Sequence, residues 1–265
     1  MTKIKLSEQV CNESNEQAWN DVAYEAWKNK LGLPQKVANK LCDNPERNLS
    51  VLYPKFGEIK GKKIANIMGS NGTKAIALAL LGADVTIFDF SEGNKIYADE
   101  VAHHANVEVR YALENIVDLP VEELTGDYDI AFAEMGILHY FTDLEPIFTS
   151  VYNLLGKGGK FILRDFHPVS NKLISSRGTT AKIRKHKVNG DYFDTSLVES
   201  DISYAKYLPD TDTKKVYLRK WNLGETVTAI AKSGLIIESL EEEPNLSCAT
   251  YDKGIPKTFT IVARK

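Results

Sequence analysis

The sequence predicts an α/β fold in which a doubly wound parallel sheet carries helices on both faces. Two patterns predict it. From Lys63 onward, apolar runs of about six residues alternate with helical stretches, the layout of successive βαβ units. The first run leads directly into a glycine-punctuated turn and a helix, Ile64-Ala65-Asn66-Ile67-Met68-Gly69-Ser70-Asn71-Gly72. A length of 265 residues and a hydrophobic fraction of 43% supply the core such a sheet needs, in one large domain or two smaller ones, without disulfides.

Counted from Trp19, residues Val22, Ala23, Ala26, Trp27, Lys30 and Leu31 recur at helical spacing and predict an amphipathic helix. A second short helix covers 35–42, and Asp43-Asn44-Pro45 turns the chain. The polar, glycine-containing stretch 57–63 leads into the sheet, so 1–45 reads as a helical cap and 46–265 as the main domain. Strands are expected at 63–68, 84–89, 107–111, 128–133 and 159–165, with helices at 73–82, 92–104 and 143–155 between them. Crossovers of this length favour right-handed parallel connections. Residues 169–220 are polar and include the basic run Lys182-Ile183-Arg184-Lys185-His186-Lys187, which predicts an insertion of short antiparallel strands or a lid. A helix at 223–232 and strands at 235–240 and 259–263 bring the count to seven strands.

Composition excludes several function classes. The 33 Lys and Arg residues against 36 Asp and Glu give a net charge of −3, which removes the general electrostatic drive toward nucleic acid or an anionic membrane surface. Cys11, Cys42 and Cys248 lie far apart and match neither C-x-x-C nor a zinc spacing, so they read as reduced thiols of a cytoplasmic protein and no metal site is expected. The N-terminus lacks the apolar run of a signal peptide, and the longest apolar stretch, 75–83, stops at Asp84, short of the roughly 20 residues of a membrane span. The expectation is a monomer or homodimer acting on a small molecule.

The turn at 68–72 is the most informative segment. Glycines let a backbone approach a ligand closely, and the helix after the turn offers free N–H groups. Asp89 ends the next strand, 89 − 69 = 20 residues after Gly69, the separation at which a carboxylate reaches the hydroxyl pair of a ribose bound beside the first turn. A dinucleotide fingerprint wants glycines at i, i+2 and i+5. With Gly69 and Gly72 as the last two, the first falls on Ile67, which makes an NAD-dependent oxidoreductase the weaker alternative.

On these residues the chain resembles the class I S-adenosylmethionine-dependent methyltransferases of the small-molecule type, whose first motif is commonly an acid-Leu-Gly-x-Gly-x-Gly strand and turn. Here Asn66 stands where an acid is usual, Met68 and Ser70 stand at glycine positions, and Gly69 is expected to restore the flexibility one residue later. Asp89-Phe90-Ser91 is similar to the end of the family's second strand, whose acid binds ribose. Leu113-Glu114-Asn115-Ile116-Val117-Asp118-Leu119 resembles the turn that holds adenine, with the Asn115 carbonyl oxygen in place of the usual acid as acceptor from the adenine amino group. Residues 127–141 and the 154–163 turn and strand resemble the fourth and fifth strands. The resemblance implies a Rossmann-like seven-stranded sheet whose last strand is antiparallel, S-adenosylmethionine as cofactor, and a cofactor site of Met68, Gly69, Ser70, Asn71, Gly72, Asp89, Phe90, Asn94, Glu114, Asn115, Ile116, Glu134 and Met135. A non-catalytic S-adenosylmethionine-binding protein is the alternative that the eroded glycine motif keeps open.

Methyl transfer from a sulfonium is an in-line displacement with an activated leaving group, so the protein mainly aligns donor and acceptor and excludes water. A base is needed only for an acceptor that arrives protonated. The candidates for catalysis are Glu134, His139 and His167, at strand ends where doubly wound sheets place ligands. Tyr140, Phe166, Trp27 and Tyr24 are the candidates for the substrate pocket. Packing roles stand beside each of these readings.

Overall fold

The computed structural model describes residue 15 and residues 23–177, 185–203, 205–208, 215–244 and 254–265. Trp19, Val22 and the first half of the basic run, 182–184, lie outside them. Seven strands form one sheet: β1 (Lys63–Ile67), β2 (Asp84–Asp89), β3 (Arg110–Leu113), β4 (Tyr128–Glu134), β5 (Leu155–Phe166), β10 (Ile236–Pro244) and β11 (Pro256–Arg264). Two hairpins stand apart from it, β6 (Ile174–Arg177) with β7 (Lys185–Val188), and β8 (Leu197–Asp201) with β9 (Lys215–Arg219). The sheet order is β10-β11-β5-β4-β1-β2-β3. β1 to β5 are parallel, and β11 runs antiparallel to both β5 and β10. From β1 the chain winds outward through β2 and β3, then returns to lay β4 on the other side. The β1/β4 boundary is therefore the switch point, where a crevice opens at the carboxyl ends of the strands.

Side chains alternate across the sheet and divide the core in two. Ile64, Ile130, Phe132 and Ile162 face one layer with Val85, Ile87, Tyr97 and Val101. Ala65, Ile67, Ala131, Ala133, Phe161 and Leu163 face the other with Phe148, Val151 and Ile230. The first layer also takes Ala23, Ala26 and Trp27 of α1 (Ala23–Leu31), Val37 and Leu41 of α2 (Pro34–Asp43), and Leu49 of α3 (Pro45–Leu49). These N-terminal helices share one core with α4 (Thr73–Leu80) and α5 (Glu92–Ala105). The second layer holds α6 (Glu145–Leu154) and α7 (Leu223–Lys232), the latter closed at its start by the reciprocal Asn222–Glu225 capping box.

Boundaries shift from the sequence expectation where tertiary pairing decides them. β3 covers 110–113, not 107–111, because Arg110 is the first residue in register with β2, opposite Thr86. β5 starts at Leu155, not 159, because Leu155 pairs with Tyr128 across a bulge. The β8–β9 hairpin sits over the carboxyl ends of the strands. Ile202 and Val216 are buried in the first core layer, and Trp221 Nε1 donates to the carbonyls of Leu138 and Phe141 at 3.0 and 3.2 Å. No helix among the described residues is long and apolar enough to cross a membrane.

Candidate active site

A cleft of about 440 Å³ opens at the β1/β4 switch point. One wall is residues 68–71 of the loop together with Asp89, Phe90 and Asn94. The other is Glu134, Met135, Gly136, Ile137, His139 and Tyr140, with Phe166 beside them, and Trp27, Lys30, Asn66, Lys74 and Ser203 are also in the lining. A small extension beyond Asp89 and Phe90 is lined by Glu114, Asn115, Ile116, Phe141 and Asn15.

Loop 68–72 takes an unusual path. Met68 and Ser70 hold left-handed backbone angles, φ 50° and 51°, at the two positions where the resembling family has glycine. Such angles cost a non-glycine residue roughly 1–2 kcal/mol each. Gly69 is not left-handed, so it does not restore the missing flexibility as expected. It is glycine for space: a Cβ there would meet Asn66 Oδ1 at 2.6 Å and Ile87 Cγ2 at 2.8 Å. Gly72 is left-handed, φ 70°, and a Cβ would meet that of Ala98 at 2.7 Å, so it seats α4 against α5 and does not line the cleft.

Asp89 anchors this wall from β2. Its carboxylate accepts from Ser70 N at 3.0 Å, Ser91 N at 2.9 Å and Asn94 Nδ2 at 3.4 Å. Burial pushes its carboxyl up from the usual aspartate range, opposed by the N–H groups of Ser91 and Ser70. Asn94 in turn accepts from Trp27 Nε1 at 2.7 Å, so α1 steadies the acid through one amide. Tyr111 donates its hydroxyl to the Ser70 carbonyl at 3.1 Å.

The opposite wall is held by charge. Glu134 lies between Lys74 Nζ at 2.7 Å and Arg164 Nη1 at 3.4 Å. Arg164 also pairs with Glu243 at 2.7 Å. Burial acts to raise the Glu243 carboxyl, but the bonds from Arg164 and Thr258 outweigh it and hold the group below its ordinary value. Asp165 gathers the backbone N–H groups of Gly136, Ile137, Leu138 and Phe166 at 2.7, 3.1, 3.0 and 2.7 Å, and so fixes the loop that carries His139. Burial lowers the His139 pKa from the ordinary histidine value, against the pull of Asp165, so the ring is neutral at neutral pH.

Residues 68–163 match the family model described as Methyltransferase domain. This stretch is a methyltransferase domain. Its fold is shared with solved structures: a candidate S-adenosylmethionine-dependent methyltransferase from Listeria monocytogenes, 22% identical over 84% of this chain and 99% of that one with a TM-score of 0.62, and an S-adenosylmethionine-dependent methyltransferase from Mesorhizobium loti, 21% identical over 82% and 99% with a TM-score of 0.61. Magnesium protoporphyrin IX methyltransferase from Synechocystis, solved with S-adenosylhomocysteine, aligns over 96% of this chain and 99% of its own at 13% identity and a TM-score of 0.58. No curated protein matches the chain. The fold is the one that these S-adenosylmethionine-dependent methyltransferases share. The cleft also holds two polar groups that the protein alone does not satisfy: Asn66 Oδ1 and Ser70 Oγ are buried without a hydrogen-bond partner, and both residues line it.

Of the expected site residues, Met68, Gly69, Ser70, Asn71, Asp89, Phe90, Asn94, Glu134, Met135, His139, Tyr140, Phe166 and Trp27 line the main cleft, and Glu114, Asn115 and Ile116 the extension. The Asn115 carbonyl oxygen already accepts from Val117 N at 3.2 Å, so only part of its acceptor capacity is open to a ligand. His167 is a correction. Its Nε2 lies 2.6 Å from Glu242 on β10 and its Nδ1 accepts from Val169 N at 3.1 Å, so both ring nitrogens are used outside the cleft. Tyr24 is another: its ring packs edge-on against Tyr97 and its hydroxyl donates to Glu100 at 2.9 Å, both on α5, and it does not line the cleft. Lys30, Asn66, Lys74 and Ser203 also line the cleft, though none was among the expected site residues. Two carried a signal, Asn66 at the place of the resembling family's acid and Lys74 as a cation just past the glycine turn.

Proposed function

We propose that the chain transfers the methyl group of S-adenosylmethionine to a small-molecule acceptor held between Trp27, Tyr140 and Phe166, beneath the β8–β9 hairpin. The observation that carries this reading is the single cleft shared by the Asp89 wall and the His139 wall at the β1/β4 switch point. The cofactor supplies a methyl group on a positively charged sulfur, a leaving group that needs no protonation. Asp89 takes the ribose hydroxyls, with Phe90, Asn94 and loop 68–71 around the nucleoside and residues 114–116 toward the base. His139, neutral and held by the Asp165-anchored loop, accepts the proton of an acceptor that arrives as a hydroxyl or ammonium. Glu134, already between two cations, serves binding and not proton transfer. Residues of α1 and the hairpin around Ile202 and Val216 keep water from the reacting atoms.

The test is calorimetric titration with S-adenosylhomocysteine. Binding is expected, and Asp89→Ala should weaken it by about 1–3 kcal/mol, the cost of a charged hydrogen bond. Unchanged affinity in that variant overturns the ribose assignment, and a screen of small-molecule acceptors that returns no methylated product overturns the reaction.

A further inference from the structure

The end of the cleft assigned to the acceptor has a charge pattern of its own. Lys30, in the last turn of α1, lines the cleft with its Nζ 4.9 Å from the ring centre of Trp27 and 5.1 Å from that of Tyr207. Lys206 sets its Nζ 5.1 Å from the same Tyr207 ring. The turn Ala205–Tyr207 is latched to α1 by Asn29 Nδ2, which donates to the Tyr207 carbonyl at 3.0 Å. Burial acts to raise the Tyr207 hydroxyl, but Lys206 and Lys30 outweigh it and hold the group below its ordinary value, so both ammoniums bear on one oxygen. A third cation, Lys220, is half-buried within Coulomb range of His139 and donates to the Asn171 carbonyl at 2.7 Å. Among the described residues none of these three lysines pairs with a carboxylate. The acids nearby are committed elsewhere, Asp89 and Asp165 to backbone N–H groups and Glu134 to Lys74 and Arg164. Aromatic faces steady an ammonium but cancel no charge. Like charges gathered at one cleft repel each other and focus a field that draws in an anion.

We propose that the methyl acceptor is an organic acid, whose apolar or aromatic body lies between Trp27, Tyr140 and Phe166 and whose carboxylate or phosphate accepts from Lys30, with Lys206 behind it. The inference rests on the methyl-transfer reading above and names its substrate class. Lys30 is exposed, so the anionic head sits at the mouth of the cleft and the reacting group at the inner end, toward His139. There the methyl group passes from sulfur to a hydroxyl or amino group of the acid: the S–CH3 bond breaks with its electron pair left on sulfur, the new O–CH3 or N–CH3 bond forms, and His139 takes the proton. A positively charged donor in a cleft that already holds unpaired ammoniums is disfavoured by charge alone. An acidic acceptor reverses that balance, so donor and acceptor favour each other's binding.

The experiment is a methylation screen of the full chain with S-adenosylmethionine and paired acceptors. The panel holds hydroxy and amino acids with aromatic or alkyl bodies, each beside its carboxamide, and phosphate monoesters of diols beside the parent diols; para-hydroxybenzoate and its carboxamide are the smallest aromatic pair. An acid should be methylated with kcat/KM at least about tenfold above that of its neutral partner, and whether the carboxylate or the phosphate series leads identifies the head group. These pairs read the contact on the wild-type chain and require no variant to fold. Lys30→Met should raise KM for the acid about tenfold and shrink its preference over the neutral partner to within about threefold, and Lys30→Arg should restore most of it. Neutral partners methylated as fast as their acids, product from neutral acceptors alone, or a Lys30→Met variant that keeps the full preference overturns the proposal and leaves the methyl-transfer reading standing. No product from any member of the panel overturns that reading, and the acceptor class with it.

Discussion

The loops 68–72 and 135–141 line the same cleft, each tethered by a buried aspartate, yet they are finished differently. Asp165 binds four backbone N–H groups and ties Gly136, Ile137 and Leu138 to the end of β5. Asp89 binds two backbone N–H groups and one side-chain amide, and the segment it holds keeps two left-handed non-glycine residues, against Met135 alone in the other loop, and one buried, unpartnered oxygen, Ser70 Oγ, with that of Asn66 just before it on β1. The second loop has four of its N–H groups, or those beside it, gathered by one carboxylate and presents one neutral imidazole. The first retains more strain and open polar groups, the pattern expected where a ligand finishes the structure.

The largest effect expected from this contrast lies at the imidazole. If the locked loop exists to hold a base, His139→Gln should lower kcat by about 100- to 10,000-fold for an acceptor that arrives protonated. The wild-type rate should fall on an acid limb below pH 6.5, the side on which a depressed histidine pKa lies. The same depression has a sign for stability. Between the folded pKa and 6.5 the unfolded chain binds more protons, so His139 contributes stability above pH 6.5 that is lost as pH falls through the folded value. A flat pH–rate profile from pH 5 to 8 would remove the base.

Asp165→Ala should cost about 3–5 kcal/mol in urea denaturation, because several buried N–H groups lose their acceptor at once. A loss below about 1 kcal/mol would mean that water serves the loop equally well and that the two loops do not differ in kind. Gly69→Ala should cost about 1–3 kcal/mol, since its Cβ would push against Asn66 and Ile87, and it should weaken S-adenosylhomocysteine as Asn66 shifts. The smallest effect is also the sharpest. Ser70→Gly removes a left-handed strain of about 1–2 kcal/mol, offset by about 0.5–1 kcal/mol of glycine entropy, so melting should show a gain of up to about 1.5 kcal/mol. Affinity for S-adenosylhomocysteine should fall in the same variant, which separates a hydroxyl kept for a ligand from one kept for folding.

Much of the sheet was legible because burial repeats along the chain. Residues 63–67, 84–89 and 128–134 are apolar at most of their inner positions and buried almost throughout, as strands covered on both faces must be. Gly72 and Asp89 marked the switch-point crevice because backbone angle and carboxylate position both follow from local sequence. His167 and Tyr24 misled for one reason: their polar atoms are consumed by Glu242 and Glu100, 75 and 76 residues away, and no local pattern announces such partners. The Trp27–Asn94–Asp89 relay was hidden in the same way. Each residue was noticed, but the hydrogen bonds that connect α1 to the β2 acid join segments more than sixty residues apart.

The sequence by itself determined the alternation of strands and helices, the glycine turn, and the acid twenty residues beyond it, because periodicity and backbone freedom are properties of neighbours along the chain. Only the tertiary structure decided that Gly69 is required for space and not for angle, that Met68 and Ser70 carry the left-handed turn, and that Glu134 stands between Lys74 and Arg164. Those outcomes depend on which distant atoms occupy the few ångströms around each group, and that is set when β1, β2, β4 and β5 come into register.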